Sequence, residues 1–101
     1  MLIDRAERVY AKWTPTPNLP LEVSFDGRTT WIAGAPGLED ADGNWSADPA
    51  GGVYAILVAG PDAVGNPVDT VVLQLGTTKT IARIVDSPEV FIEVTGEIGV
   101  G

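Results

Sequence analysis

The run from Lys79 to Val100 limits the fold more than any other part of the chain. Within it Val90, Ile92 and Val94 alternate with Phe91, Glu93 and Thr95, the two-residue period of a strand with one buried face. Ahead of it, Thr80-Ala-Arg-Ile-Val is a second extended run, and Asp86-Ser87-Pro88 supplies the bend between them. Pro88 fixes φ and cannot donate to a ladder, while Asp86 and Ser87 can hydrogen-bond nearby backbone. Two neighbouring strands therefore form the frame on which the earlier segments pack.

Those earlier segments are strand-like too. Pro20 to Asp26 sets Leu21, Val23 and Phe25 on one face and Glu22, Ser24 and Asp26 on the other. Asp26-Gly27 reads as a tight turn, and Thr29-Thr-Trp-Ile-Ala as the returning strand of a hairpin. Gly52 to Ala59 is apolar on both faces, the pattern of a central strand buried on both sides. Val71, Leu73 and Leu75 alternate with Val72, Gln74 and Gly76, and Gly76-Thr-Thr reads as a turn into the final pair. The last residues, Gly96 to Gly101, read as a flexible terminus.

The first residues fit two patterns. Leu2, Ala6, Val9, Tyr10 and Trp13 share a helical face, yet Val9, Ala11 and Trp13 also alternate against Arg8, Tyr10 and Lys12. The balance favours a short strand over residues 7–13, with Met1 to Ala6 as an arm; a short helix is the other reading. Thr14-Pro-Thr-Pro-Asn-Leu-Pro is an extended connector. Ala35 to Ala50 carries turn signals at Gly37, at Asp42-Gly43-Asn44 and at Asp48-Pro49, and reads as the longest irregular segment. Its one large apolar residue, Trp45, either folds over an end of the core or stands exposed to grip a partner.

About seven strands with turn chemistry between them predict an all-β fold, a small antiparallel sandwich, with an N-terminal arm or short helix. The division is residues 1–19 as arm or strand plus proline-rich connector, and residues 20–101 as the β-sandwich domain. A chain of 101 residues is one domain at most.

Function is bounded first by what is missing. There is no cysteine and no histidine. Disulfides, thiol nucleophiles and thiolate metal sites are excluded, and so are the commonest general base and the commonest transition-metal ligand. The net charge of −8 opposes binding to nucleic-acid phosphates and to anionic membranes. No apolar run approaches the length of a membrane helix, and Asp4, Arg5, Glu7 and Arg8 follow the start too closely for a signal peptide, so a soluble chain is expected.

The motifs are weak when tested against what their chemistry needs. Asp40, Asp42 and Asn44 mimic the start of a calcium loop, but Trp45 stands where the glycine belongs and Gly51 where the bidentate glutamate belongs. The cluster reads as an acidic turn. Gly76-Thr-Thr-Lys79-Thr80 lacks the glycines of a phosphate loop. Asp86 and Glu89 could be imagined as a glycosidase pair, but a turn-closing role for Asp86 and a solvent-facing Glu89 are the simpler reading. No catalytic, cofactor-binding or metal-ligating residue is expected, no cofactor, and no enzyme activity. Trp31 and Tyr54 are expected in the core. The interface candidates are Leu2, Ile3, Tyr10, Trp13 and Trp45, because aromatics concentrate at interfaces and Met1-Leu-Ile is an apolar start with no evident core role.

One stretch also carries a likeness. Gly76-Thr-Thr-Lys-Thr-Ile-Ala-Arg-Ile-Val-Asp86-Ser87-Pro88-Glu89-Val90, followed by Gly96-Glu-Ile-Gly-Val, resembles the end of small proteins encoded among the head and tail structural genes of actinobacterial tailed phages. Those end in a glycine turn, an extended run, a T/S-D-x-P-E motif, another strand, then glycine and a last apolar strand. Ala59-Gly60-Pro61-Asp62 and Trp13-Thr14-Pro15 are similar to that group as well; Ala35–Ala50 has no counterpart there. The resemblance implies an immunoglobulin-like sandwich serving as a virion structural protein, made in the host cytoplasm and resident in the virion. Its partners would be other virion proteins, with a homo-oligomer or ring in the head-to-tail connector region. The alternatives are a capsid or tail decoration protein, or a carbohydrate- or cell-surface-binding module. On this reading residues 1–6 are an arm that docks on an adjacent subunit, so that deleting them weakens assembly and leaves the isolated domain folded.

Overall fold

The computed structural model describes residues 1–86 and 90–101, and what it describes is all-β, with no helix among those residues. The strands are β1 (Leu2–Ile3), β2 (Arg8–Trp13), β3 (Leu21–Ser24), β4 (Ile32–Ala33), β5 (Ala35–Glu39), β6 (Trp45–Ala47), β7 (Val53–Ala59), β8 (Val71–Val72), β9 (Gly76–Asp86) and β10 (Val90–Val100). They form two sheets. One runs β1-β10-β9-β3-β4; the other runs β2-β7-β5-β6, with β8 beside β7.

The expected C-terminal frame is the longest ladder. β9 and β10 pair antiparallel without interruption from Val90 opposite Asp86 to Val100 opposite Gly76. Ser87, Pro88 and Glu89 lie outside the described residues, and with them the expected bend and the role given to Glu89; Asp86 is described as the last residue of β9, but not its side chain, on which its turn-closing role rests. Two details at the other end differ from expectation. Gly76–Thr78 is strand and not turn, and Gly96–Val100 is strand and not a loose terminus. The cause is pairing on both sides. Ile98 and Val100 are buried in the core, and the Gly99 N–H donates to the Met1 carbonyl at 2.8 Å.

That contact also corrects the N-terminal arm. β1 lies parallel to β10, Leu2 opposite Gly99 and Ile3 opposite Val100. Ile3 is 5% exposed and belongs to the core, so it is no interface residue in the folded chain. Apolar character at positions 1–3 fits a core strand as well as an interface, and only the position of β10 decides. Removing residues 1–6 is therefore expected to lower the stability of the isolated domain, by about 1.5–3 kcal/mol for the Ile3 side chain alone. Thermal melts of the truncated and full chains test this; equal midpoints would restore the free arm.

Among the described residues ten strands replace about seven because three short ones are added. They are β1 and the β5–β6 hairpin, which occupies much of the segment read as irregular. The hairpin closes on Asp40. Its carboxylate Oδ1 accepts the Asp42 and Asn44 backbone N–H groups, both at 2.9 Å, while Gly43 takes φ +83°. The sheets are also not wholly antiparallel, since β1–β10 and β7–β8 are parallel pairs. The Asp26-Gly27 turn is longer than a tight turn. Register places Glu22 opposite Ala33 and Val23 opposite Ile32, which leaves residues 24–31 outside the ladder. The buried Ser24 hydroxyl holds that loop, donating to Asp26 Oδ1 at 2.8 Å and accepting the Arg28 N–H at 2.9 Å.

Both sheets supply one core. Ile3, Leu21, Val23, Ala82, Ile98 and Val100 come from the first, Ala11, Tyr54, Ile56 and Val58 from the second, with Leu73 beside them. β7 has β2 on one side and β5 and β8 on the other, and its residues are buried or half-buried throughout. Two faces sharing one apolar interior are compatible with a β-sandwich.

Candidate interaction surfaces

Three surfaces gather chemically informative side chains. The first lies on the outer face of the second sheet. Alternation along β2 sends Val9, Ala11 and Trp13 towards the core and Arg8, Tyr10 and Lys12 outward. Register sets Tyr10 opposite Leu57, and Trp45 opposite Glu39. The indole of Trp45 lies back across β5, where a Cβ on Gly37 would come within 2.3 Å of it, and its Nε1–H donates to the Val53 carbonyl at 2.8 Å. Tyr10 and Trp45 meet with ring centroids 4.8 Å apart at 43°. Beside them Lys12 pairs with Glu39 and donates to the Gly43 carbonyl at 2.8 Å. A shallow groove of about 320 Å³ next to the pair is lined by Leu57, Pro67 and Asp69 among others.

The second surface is the outer face of the first sheet. Register places Glu22, Arg83 and Glu93 side by side on β3, β9 and β10. Arg83 donates from Nε and Nη2 to Glu22 Oε1 at 3.1 and 2.9 Å, and the Trp31 ring centroid is 3.8 Å from its Cζ. Trp31 is thus half-buried beneath a guanidinium and not in the core; Tyr54 is in the core. At the far end Arg28 Nη2 donates to Glu93 Oε2 at 2.6 Å. Arg28 reaches that position in the left-handed region, at φ +75°, a conformation few non-glycine residues hold.

The third is a cleft of about 240 Å³ between the end of β2, the proline connector and the β9–β10 hairpin. Trp13, Pro15, Leu21, Ala82, Ile84 and Val94 line it. Val94 shares the inward face with Ile98 and Val100, yet it is 57% exposed.

The structure therefore unites Tyr10 with Trp45 and separates both from Trp13, which lines the cleft on the opposite face of β2. Leu2 stands apart at 88% exposure, on the outer side of β1. Comparison with protein families, with curated proteins and with solved structures finds no match. The surfaces must therefore be read from their chemistry alone. Among the described residues no three carboxylates group as a metal site would require. Asp40 is committed to its own turn. Sequence reasoning missed Arg83, Trp31 and the Glu22–Glu93 row. Their spacing in the chain carries no hint of the register that aligns them.

Among the described residues three carboxyls are held below their ordinary range. For Asp26 the main cause is the Thr30 backbone N–H, helped by the Ser24 hydroxyl; for Asp40 it is the Asn44 backbone N–H; for Glu93 it is the Arg28 side chain. A carboxyl with a folded pKa below its unfolded one binds fewer protons when folded. Its contribution is complete above the unfolded values of 3.8 and 4.5 and is lost as pH falls through the lowered ones. Urea midpoints are therefore expected to stay level from about pH 7 to pH 5 and to drop below about pH 4. Asp26→Asn should flatten that drop; an identical acid limb in the variant would dismiss the contribution.

Proposed function

We propose that this chain is a non-enzymatic structural subunit of a tailed-phage virion, with an immunoglobulin-like sandwich, placed in the head-to-tail connector region and working by packing against neighbouring polypeptides. The observation that carries the reading is the apolar cleft of Trp13, Pro15, Leu21, Ile84 and Val94, open at the side of the molecule and free of ionisable lining residues. A surface of that kind suits the side chains of another protein. A chain without histidine or cysteine has few means of doing chemistry on a substrate. The likeness of residues 76–90 to phage structural proteins supplies the setting.

The test is the mass in solution of the full chain, alone and mixed with the phage's connector, capsid and tail proteins. A stoichiometric complex with connector proteins is the expected result. A complex with capsid or tail proteins alone would move the subunit to a decoration role, and a chain that keeps its own mass in every mixture would overturn the reading. The Tyr10–Trp45 pair favours a second reading, a carbohydrate-binding module, since neighbouring aromatic side chains at a surface suit sugar rings. Cell-wall polysaccharide that alters tryptophan emission in the full chain, and not in Tyr10→Ala, would establish it.

A further inference from the structure

Aspartate stands directly before glycine at two places in the chain, Asp26-Gly27 and Asp42-Gly43. Such a pair is open to attack by its own backbone, because a glycine has no Cβ to keep its nitrogen away from the aspartate carboxyl carbon. The attack closes a five-membered succinimide, and the structure treats the two places differently. At Asp26 the carboxylate is engaged. Its Oδ1 accepts the Ser24 hydroxyl and the Thr30 N–H, both at 2.8 Å. Those bonds hold the group ionised, below the ordinary carboxyl range. Ring closure expels water most readily from the neutral acid, and it turns the carboxyl towards the next nitrogen. Both steps break the two bonds. At Asp42 the side chain is exposed, and among the described residues nothing bonds its carboxyl. Its backbone N–H, not its carboxyl, serves the β5–β6 turn, by donating to Asp40 Oδ1. The Gly43 N–H donates to the Asp40 carbonyl at 3.1 Å, the one hydrogen bond that closure must break. The space beside Gly43 is open, since a Cβ there would meet nothing within 4 Å.

We propose that Asp42-Gly43 is a site of spontaneous backbone modification, where Asp42 turns into isoaspartate while Asp26 is spared, and that this change loosens the Tyr10–Trp45 surface. The Gly43 nitrogen bonds to Asp42 Cγ and gives up its proton, the Cγ–OH bond breaks, and water departs. Water then reopens the ring. Opening at Cγ restores aspartate; opening at the main-chain carbonyl leaves the backbone running through Cβ and Cγ, with the old main-chain carboxyl as the side chain. Only water is consumed or released, and the final composition is that of the parent. The product adds one main-chain carbon inside a closed turn. There the Asp40 N–H donates to the Asn44 carbonyl at 3.0 Å, and Asp40 Oδ1 takes the Asn44 N–H at 2.9 Å. Lys12 ties β2 to the same turn through the Gly43 carbonyl at 2.8 Å. A longer backbone between Asp42 and Gly43 cannot keep these bonds together. The next residue but one is Trp45, whose ring meets Tyr10.

The full chain is kept warm in neutral buffer for weeks and sampled by peptide mapping with electron-transfer fragmentation, which tells isoaspartate from aspartate at equal mass. Isoaspartate should accumulate at position 42 about tenfold faster than at position 26, because closure at Asp26 gives up two hydrogen bonds to a charged group and closure at Asp42 one between neutral groups. A parallel sample in concentrated guanidinium, where both turns are lost, should convert the two positions at similar rates. Asp42→Glu should abolish the signal at 42, since its longer side chain closes a six-membered ring far more slowly. Asp42→Asn should raise it, with ammonia leaving in place of water. Ser24→Ala should bring position 26 closer to position 42. Tryptophan emission of the aged chain should shift to the red, and that of Asp42→Glu aged alongside should not. Equal or faster conversion at Asp26 in the folded chain, or the same ratio in guanidinium as in buffer, would overturn the proposal. Conversion at Asp42 with unchanged emission would overturn the loosening of the aromatic surface.

Discussion

Ile56→Asp is expected to leave the chain without a cooperative unfolding transition at 25 °C. Ile56 sits on β7, in register with Ala11, and is 4% exposed. The core cluster around it contains only apolar residues and Tyr54, so a carboxylate there meets no cation. Loss of the isoleucine costs about 2–5 kcal/mol for its removed contacts and the space left behind. Burial of an unpaired charge adds several kcal/mol more. A domain of this size is held together by about 5–15 kcal/mol in total, so the two effects consume most of it. Circular dichroism through a thermal scan is the measurement. Val64→Asp is the control, since Val64 is 89% exposed and its replacement should stay within about 0.5 kcal/mol of the parent. A sharp transition in Ile56→Asp, displaced by only a few degrees, would mean that the two sheets do not enclose this residue.

Gly37→Ala is the second large effect, and it acts on a surface as well as on stability. The added Cβ would lie 2.3 Å from the Trp45 ring and 2.4 Å from the Ser46 carbonyl oxygen. The ring can swing away, but Ser46 is part of the β5–β6 ladder and its backbone must shift with it. Crowding of this kind costs about 1–3 kcal/mol. Displacing the indole also gives up its hydrogen bond to Val53, worth about 0.5–1.5 kcal/mol. For a domain near this size, each kcal/mol lowers the melting midpoint by about 4–8 °C. Tryptophan emission should shift to the red as Trp45 leaves Tyr10 and meets water. In a Trp45→Phe background the emission change should vanish, because Trp13 and Trp31 lie elsewhere. An unaltered spectrum and midpoint in Gly37→Ala would remove Trp45 from its place over β5.

Much of the strand content is visible in one-dimensional patterns. Alternation marks β2, β3 and the β9–β10 pair, and continuous apolarity marks β7, because those signals come from which side of a strand faces water. The short strands are not visible in this way. β1 has two residues and β6 three, too few for a period to register. The β5–β6 hairpin is written in Gly, Pro, Asp and Asn, whose backbone preferences point to turns; pairing with β7 on one side makes a strand of Ala35–Gly37 all the same. Trp13 and Trp45 look alike as candidates on composition. Their separation follows from parity: Trp13 lies an odd number of residues from Tyr10 on one strand, while Trp45 reaches Tyr10 across β7 and β5.

From the residues alone came the all-β class, the apolar central strand, the C-terminal pair and the lack of thiol and imidazole chemistry, each a property of local pattern or composition. Tertiary structure decided which strands neighbour one another, and with them every surface described above. It placed Ile3 inside, brought Tyr10 to Trp45 and set Arg83 between two glutamates. The physical reason is that burial and edge exposure are relations between distant segments. A strand's own residues record which face is oily, but they do not record what lies beside it.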